Sequence, residues 1–248
     1  MNPVVTPFRL LSALAMALLA AAFLVPFAGA GAAAEPRPVL LLIHGGGFVE
    51  GSPAGMDYAA AIAAREGEFA TLQPAYPLND LAGAFERLAD VALTLGAQGR
   101  EVYAYGDSAG GAIAVWLAAN GYVEAAAGKA PPTALVGWRS ATARHYATAE
   151  ASDRRSWRHL RATPRVRRKY STAFRRSLRP VRIYQSCDDI VVPCGINLAF
   201  SRRDPNVSLR EIWGPHKDRA AKAFSFRSGL RWLAGQAGRG EPALATEA

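Results

Sequence analysis

The sequence predicts an α/β fold, a mostly parallel sheet of about six strands with helices on both faces. Three observations carry this. Short apolar runs alternate with longer stretches of helical periodicity along the chain. The runs are almost continuously apolar, as strands buried on both faces of a parallel sheet are. The chain has 248 residues, 50% of them hydrophobic, enough for one domain with a sizeable core and short for two.

The elements follow in order. Residues 39–43, Val-Leu-Leu-Leu-Ile, read as a buried strand, and the Ala-rich stretch 57–66 as a helix. Residues 69–76 read as the next strand. Between 80 and 95, apolar residues at Leu81, Phe85, Leu88, Val91, Ala92 and Leu95 have helical spacing. Residues 100–105 form a strand, and 112–120 a helix stopped by Gly121. After Pro131 and Pro132, residues 133–138 read as a short strand. Strands at 181–185 and 208–213 and a helix at 220–232 complete the set.

The flanks differ in character. Arg9 precedes a nearly unbroken apolar run, Leu10 to Val25, followed by small residues up to Ala34. Residues 1–34 therefore read as a secretory signal with a cleavage site near Ala34, or as an uncleaved membrane anchor. Either way the rest of the chain is exported, to be secreted, periplasmic or membrane-anchored. The folded domain spans 35–234, and 235–248 is a disordered Gly/Ala/Glu-rich tail.

Net charge is +9, with almost all the cations arginine. Residues 139–179 carry thirteen Lys or Arg against Glu150 and Asp153. Such a run is either a solvated face or a basic cap-like insertion that recruits an anionic membrane, cell-wall surface or substrate, with Trp157, Tyr170 and Phe174 dipping into the interface. No nucleic-acid-binding motif accompanies the charge, so no specific nucleic-acid partner is expected. The four histidines are scattered and there are only two cysteines, which argues against a metal site.

Two motifs carry chemistry. Gly106-Asp107-Ser108-Ala109-Gly110 lies between a strand and a helix, the setting in which a tight turn exposes a strained serine at a helix N-terminus. His44-Gly45-Gly46-Gly47-Phe48 follows the first strand. Its glycines let the backbone approach a substrate and direct N–H groups at an oxyanion. A phosphate loop is excluded, because no Lys-Ser/Thr follows the last glycine.

Together these motifs, about sixty residues apart, resemble the α/β-hydrolase fold, and within it the hormone-sensitive-lipase-like esterases. The resemblance covers about 39–232 and is weakest at 137–179. It implies a trimmed member, since the two strands that usually precede the first motif have no room here. It implies a Ser-acid-His order, with Ser108 the nucleophile and His216, in Trp213-Gly214-Pro215-His216, the base. Alignment on Val191-Val192-Pro193 selects Asp189 as the acid, with Asp188 the fallback. His145 and His159, inside the basic segment, read as surface residues. The resemblance assigns the oxyanion hole to the N–H groups of Gly46, Gly47 and Ala109, and leaves His44 and Asp107 structural. Phe48 and the basic segment would shape an acyl pocket for substrate binding.

Cys187 and Cys194 flank the acid. In an exported protein they are expected to pair, the alternative being two buried thiols. The implied activity is serine carboxylic-ester hydrolysis of small-molecule or carbohydrate-bound esters with short acyl chains, without metal or organic cofactor. Acyl transfer by the same residues, and a non-catalytic binding protein of this fold at an anionic surface, are the competing readings.

Overall fold

The computed structural model describes residues 37–135 and 162–238. The expectations for 1–34, for 139–161 and for 239–248 lie outside the described residues. Within them, six strands form one sheet in the order β2-β1-β3-β4-β5-β6, every neighbouring pair parallel. The strands are β1 (Val39–Ile43), β2 (Ala70–Leu72), β3 (Val102–Asp107), β4 (Ala125–Lys129), β5 (Val181–Gln185) and β6 (Val207–Glu211). The helices are α1 (Asp57–Glu66), α2 (Leu81–Ala97), α3 (Ala109–Ala119), α4 (Pro164–Tyr170), α5 (Cys194–Arg203) and α6 (Arg219–Gln236). No helix among the described residues is long and apolar enough to cross a membrane.

β1 shows why the sheet needs cover on both faces. All five of its residues are buried. Val39, Leu41 and Ile43 join a core with α2 and α3, whereas Leu40 and Leu42 join a second core with α1 and α6. This is the period-two alternation of a strand between two helical layers. α3 is buried along its whole length, so its apolar composition has no polar stripe. Side chains cap the helices where the sequence allows. Asp80 accepts from the Gly83 N–H at 3.0 Å, Asp218 from Ala221 N–H at 2.6 Å, and Thr163 from Val166 N–H at 3.3 Å ahead of Pro164.

Several expected elements move. The strand read at 69–76 is only three residues long, Ala70–Leu72. Residues 133–135 are not a strand. Pro131 and Pro132 have no N–H to enter a ladder, and Thr133 O instead accepts the Ala173 N–H. The sixth strand is β4, Ala-Ala-Ala-Gly-Lys, whose composition signals no strand. Packing decides it, because β4 lies flat under α3, and a Cβ on Gly128 would meet Gly111 Cα at 3.3 Å. α5, not expected at all, leaves the disulfide, and α6 runs past 232 and 234 to Gln236, into the stretch read as tail.

Part of the basic segment is also described. α4 is fastened by Tyr170, which is buried rather than dipping outward. Its ring stacks on Phe85 with centroids 4.6 Å apart, and its hydroxyl donates to Glu86 Oε1 at 2.6 Å. Phe85 also meets Trp116 at 5.4 Å and Phe48 at 5.7 Å, so this one ring joins α2, α3, α4 and the loop after β1. Phe85→Ala is expected to cost about 3–5 kcal/mol of stability, read as a lowered urea midpoint at unchanged slope.

Candidate active site

The strand order places the site. The chain passes from β1 outward to β2, then returns to β3 on the other side of β1. The loops leaving the carboxyl ends of β1 and β3 therefore diverge, at the switch point where open α/β sheets form their ligand crevice. The first of these loops is His44 to Phe48, and the second is the turn carrying Ser108.

Ser108 has φ 53° and ψ −117°, a conformation that costs a non-glycine residue on the order of 1–3 kcal/mol. Its surroundings impose it. A Cβ on Gly106 would lie 2.2 Å from the backbone of Gly110, and one on Gly110 would lie 2.1 Å from Ile43 O. Only glycine lets β3, α3 and the end of β1 approach this closely. The turn is secured by the Ser108 N–H, which donates to Lys129 O at 2.8 Å.

His216 arrives from the loop after β6. Its Nε2 is 2.9 Å from Ser108 Oγ and its Nδ1 is 2.7 Å from Asp189 Oδ2. Asp189 is buried at the end of β5, and its second oxygen accepts the N–H groups of Val191 at 2.8 Å and Val192 at 2.9 Å. Burial opposes its charge. The hydrogen bond and charge of His216 and the two N–H groups outweigh that, and the Asp189 pKa lies below its ordinary value. An ionised Asp189 makes Nδ1 the protonated nitrogen of His216, leaving Nε2 to accept the Ser108 proton. Asp188 is exposed and stands apart from this chain of bonds, with its N–H on Ser186 Oγ at 3.1 Å.

The glycine loop stands beside the serine. Gly45 backs directly onto it, for a Cβ there would be 3.3 Å from Ser108 Cβ. Gly46 has φ 115°, and a Cβ on it would lie 2.0 Å from Glu50 O. Bulk at Gly46 would therefore break the turn rather than merely fill the crevice. Among the described residues, the N–H groups of Gly46, Gly47 and Ala109 have no acceptor. His44 is turned away, its Nδ1–H donating to Gly45 O at 2.8 Å and its ring stacked on Tyr76 at 4.2 Å. Burial lowers the His44 pKa, against that hydrogen bond. Phe48, expected at an acyl pocket, is 0% exposed and packs into the core on Phe85. Cys187 and Cys194 are joined by a disulfide, S–S 2.17 Å, closing the loop that holds Asp189. His145 and His159 lie outside the described residues. Among those described, no group of His, Cys, Asp and Glu could hold a metal ion.

Some contributors carry no sequence signal. Lys129, at the end of β4, is 2% exposed, and its Nζ donates to His216 O at 2.7 Å. Burial lowers its pKa, opposed by the charges of Asp107 and Asp189. Asp107 pairs through Oδ2 with Lys222 Nζ at 2.5 Å. Asn197 bridges the loops, accepting from Thr133 Oγ1 at 2.6 Å and donating to Pro131 O at 2.9 Å and Gln185 Oε1 at 2.6 Å. Gln185 in turn donates to Val192 O at 3.0 Å. Lys129, Lys222 and Asn197 each reach an oxygen more than sixty residues away in sequence.

A family model of the alpha/beta hydrolase fold matches residues 40–182. The chain is an α/β hydrolase. Solved structures agree on the fold. A hyperthermophilic esterase from Pyrobaculum calidifontis superposes with TM-score 0.65 at 20% identity, over 79% of this chain and 76% of that one. Esterase 2 of Thermogutta terrifontis, with butyrate bound, gives 0.63 at 17% identity, over 84% and 86%. An esterase/lipase from an uncultured bacterium gives 0.64 at 19% identity, over 81% and 77%. A search of curated protein sequences found no match.

Two outcomes test this geometry in the hydrolase. Lys129→Met, which removes a charge-assisted hydrogen bond of about 1.5–3 kcal/mol, is expected to slow labelling of Ser108 by a fluorophosphonate roughly 10- to 100-fold. The depressed Asp189 pKa contributes stability that is complete above the ordinary value of 3.8 and is lost as pH falls through the folded value below it. Asp189→Asn should flatten that acid limb in a series of thermal melts against pH.

Proposed function

We propose that this hydrolase is an exported serine carboxylic-ester hydrolase. The observation that carries the reading is the unbroken chain from Ser108 Oγ through both ring nitrogens of His216 to Asp189. Beside it lie the N–H groups of Gly46, Gly47 and Ala109. A serine hydroxyl is a weak nucleophile until a base takes its proton. Here His216 Nε2 accepts that proton as Ser108 Oγ attacks the ester carbonyl. Asp189 holds the ring and stabilises the imidazolium that forms. The carbonyl oxygen becomes an oxyanion, and the three N–H groups, at a helix N-terminus and a glycine loop, are donors for it. The intermediate collapses, and His216 returns the proton to the departing alcohol. Water then attacks the acyl-enzyme with His216 again as base, and Ser108 is regenerated.

Short acyl chains are the preferred substrates in this reading. Its support is the likeness to the Thermogutta esterase, which has been captured with butyrate and with propionate. Export rests on the apolar run 10–25 and the small residues after it.

The test is hydrolysis of nitrophenyl esters from acetyl to decanoyl, with Ser108→Ala beside the parent chain. Turnover should peak at short acyl chains, and the variant should lose at least about 10⁴-fold in kcat. Turnover that survives in Ser108→Ala would overturn the assignment.

A further inference from the structure

The loop from Phe174 to Arg179 combines two features that a soluble surface rarely combines. Its backbone is tied down. Ser177 is buried, with its N–H on Asp204 Oδ2 at 2.5 Å, its Oγ donating to Arg179 O at 2.7 Å, and its carbonyl accepting from Asn206 Nδ2 at 2.7 Å. The Arg203 guanidinium donates to Ala173 O and Arg175 O, and the Leu178 N–H reaches Ala119 O at 3.3 Å. Yet the two large apolar side chains on this fixed loop point into water, Phe174 at 59% exposure and Leu178 at 68%. A floppy loop exposes apolar side chains at random. This one is held so that they stay out.

The exposed charges of the loop itself and of the end of α5 beside it are all positive. Arg175, Arg176, Arg179, Arg202 and Arg203 are all exposed. Arg179 is paired with Glu124 at 3.2 Å, and Asp204 is buried under the loop. Arg175 and Arg176 have no acidic partner among the described residues. Two apolar tips flanking two guanidiniums that have no acidic partner among the described residues match the boundary between anionic headgroups and acyl chains.

Position adds a further constraint. Leu178 meets the C-terminal end of α3, Glu124 directly precedes β4, and Pro180 O accepts the Ala126 N–H at the start of β4. The loop thus lies at the amino ends of the strands. Ser108 follows β3 at the carboxyl ends, about 20 Å away at the rise of a strand. Arg37, through which the chain continues from its apolar N-terminal stretch, is also at the amino end, just before β1.

We propose that residues 174–179 dock the protein on an anionic lipid bilayer, Phe174 and Leu178 inserting while Arg175 and Arg176 meet lipid phosphates. The crevice at Ser108 then faces away from the membrane and takes its ester from the aqueous phase. That last consequence rests on the ester-hydrolase reading, whereas the docking does not.

The test is flotation of the full chain with vesicles of phosphatidylglycerol and phosphatidylcholine, against vesicles of phosphatidylcholine alone. Phe174→Ser/Leu178→Ser and Arg175→Gln/Arg176→Gln run beside it. The N-terminal segment is common to all three proteins, so differences between them report the loop. Thermal melts by circular dichroism verify that each variant is folded. The parent should prefer the anionic vesicles, and each double variant should bind them on the order of tenfold more weakly. Equal binding of all three folded proteins overturns the proposal. So does loss of binding in the arginine variant alone, which would mark a purely electrostatic contact in which Phe174 and Leu178 do not insert. Vesicle-bound parent should still turn over a soluble nitrophenyl butyrate. Loss of that turnover on binding overturns the outward orientation, while a parent inactive even without vesicles counts against the ester reading and leaves the binding comparison intact.

Discussion

The structure depends on a contact between backbones. The N-terminus of α3 lies against the end of β1 so closely that no Cβ fits at Gly110, and none fits at Gly106 where β3 turns into the helix. From this crowding follow the positive φ of Ser108, the direction of its side chain out of the turn, and the nearness of the α3 N-terminus to the glycine loop. Each of these is a condition for using a serine as a nucleophile. The cost is a strained residue, and the hydrogen bond from Ser108 N–H to Lys129 O helps to hold it.

The other half of the site is an exercise in keeping buried polar groups satisfied. Asp189 is 3% exposed and would be costly alone. It has three donors. Lys129 is buried as deeply and spends its ammonium on the carbonyl of the very residue that Asp189 orients. Thr133, Asn197 and Gln185 form a continuous chain of hydrogen bonds linking the loop after β4, helix α5 and the acid loop. The disulfide closes the same loop over a separation of seven residues. On the chain-entropy model a loop of this size contributes about 2.5 kcal/mol. The acid is thus fixed covalently from one side and by a polar network from the other.

The molecule has two ends of different chemistry. All six strands run the same way, so every loop that carries a reacting or orienting group gathers at their carboxyl ends. At the amino ends the tied-down arginine loop exposes its aromatic and aliphatic tips. Parallel topology separates the two ends by the full height of the sheet. α4 and its buried Tyr170 tie the described part of the basic segment to the core, so this region is built into the fold.

The sequence by itself determined the fold class, because a buried parallel strand such as Val39–Ile43 and a strand-turn-helix serine motif are local patterns with few other uses. It also singled out Ser108, Asp189 and His216, which the tertiary structure joins by hydrogen bonds, and Cys187 and Cys194, which it joins by a disulfide. Local pattern failed where long-range packing decides. β4 is a strand only because small residues are needed beneath α3, and 133–135 is not one because two prolines cannot join a ladder. Phe48 looked like a pocket residue and serves the core. Lys129, Lys222 and Asn197 were silent in the sequence. A lone lysine or asparagine acquires meaning only from the oxygen it faces, and those oxygens are remote along the chain. Only tertiary structure decides that.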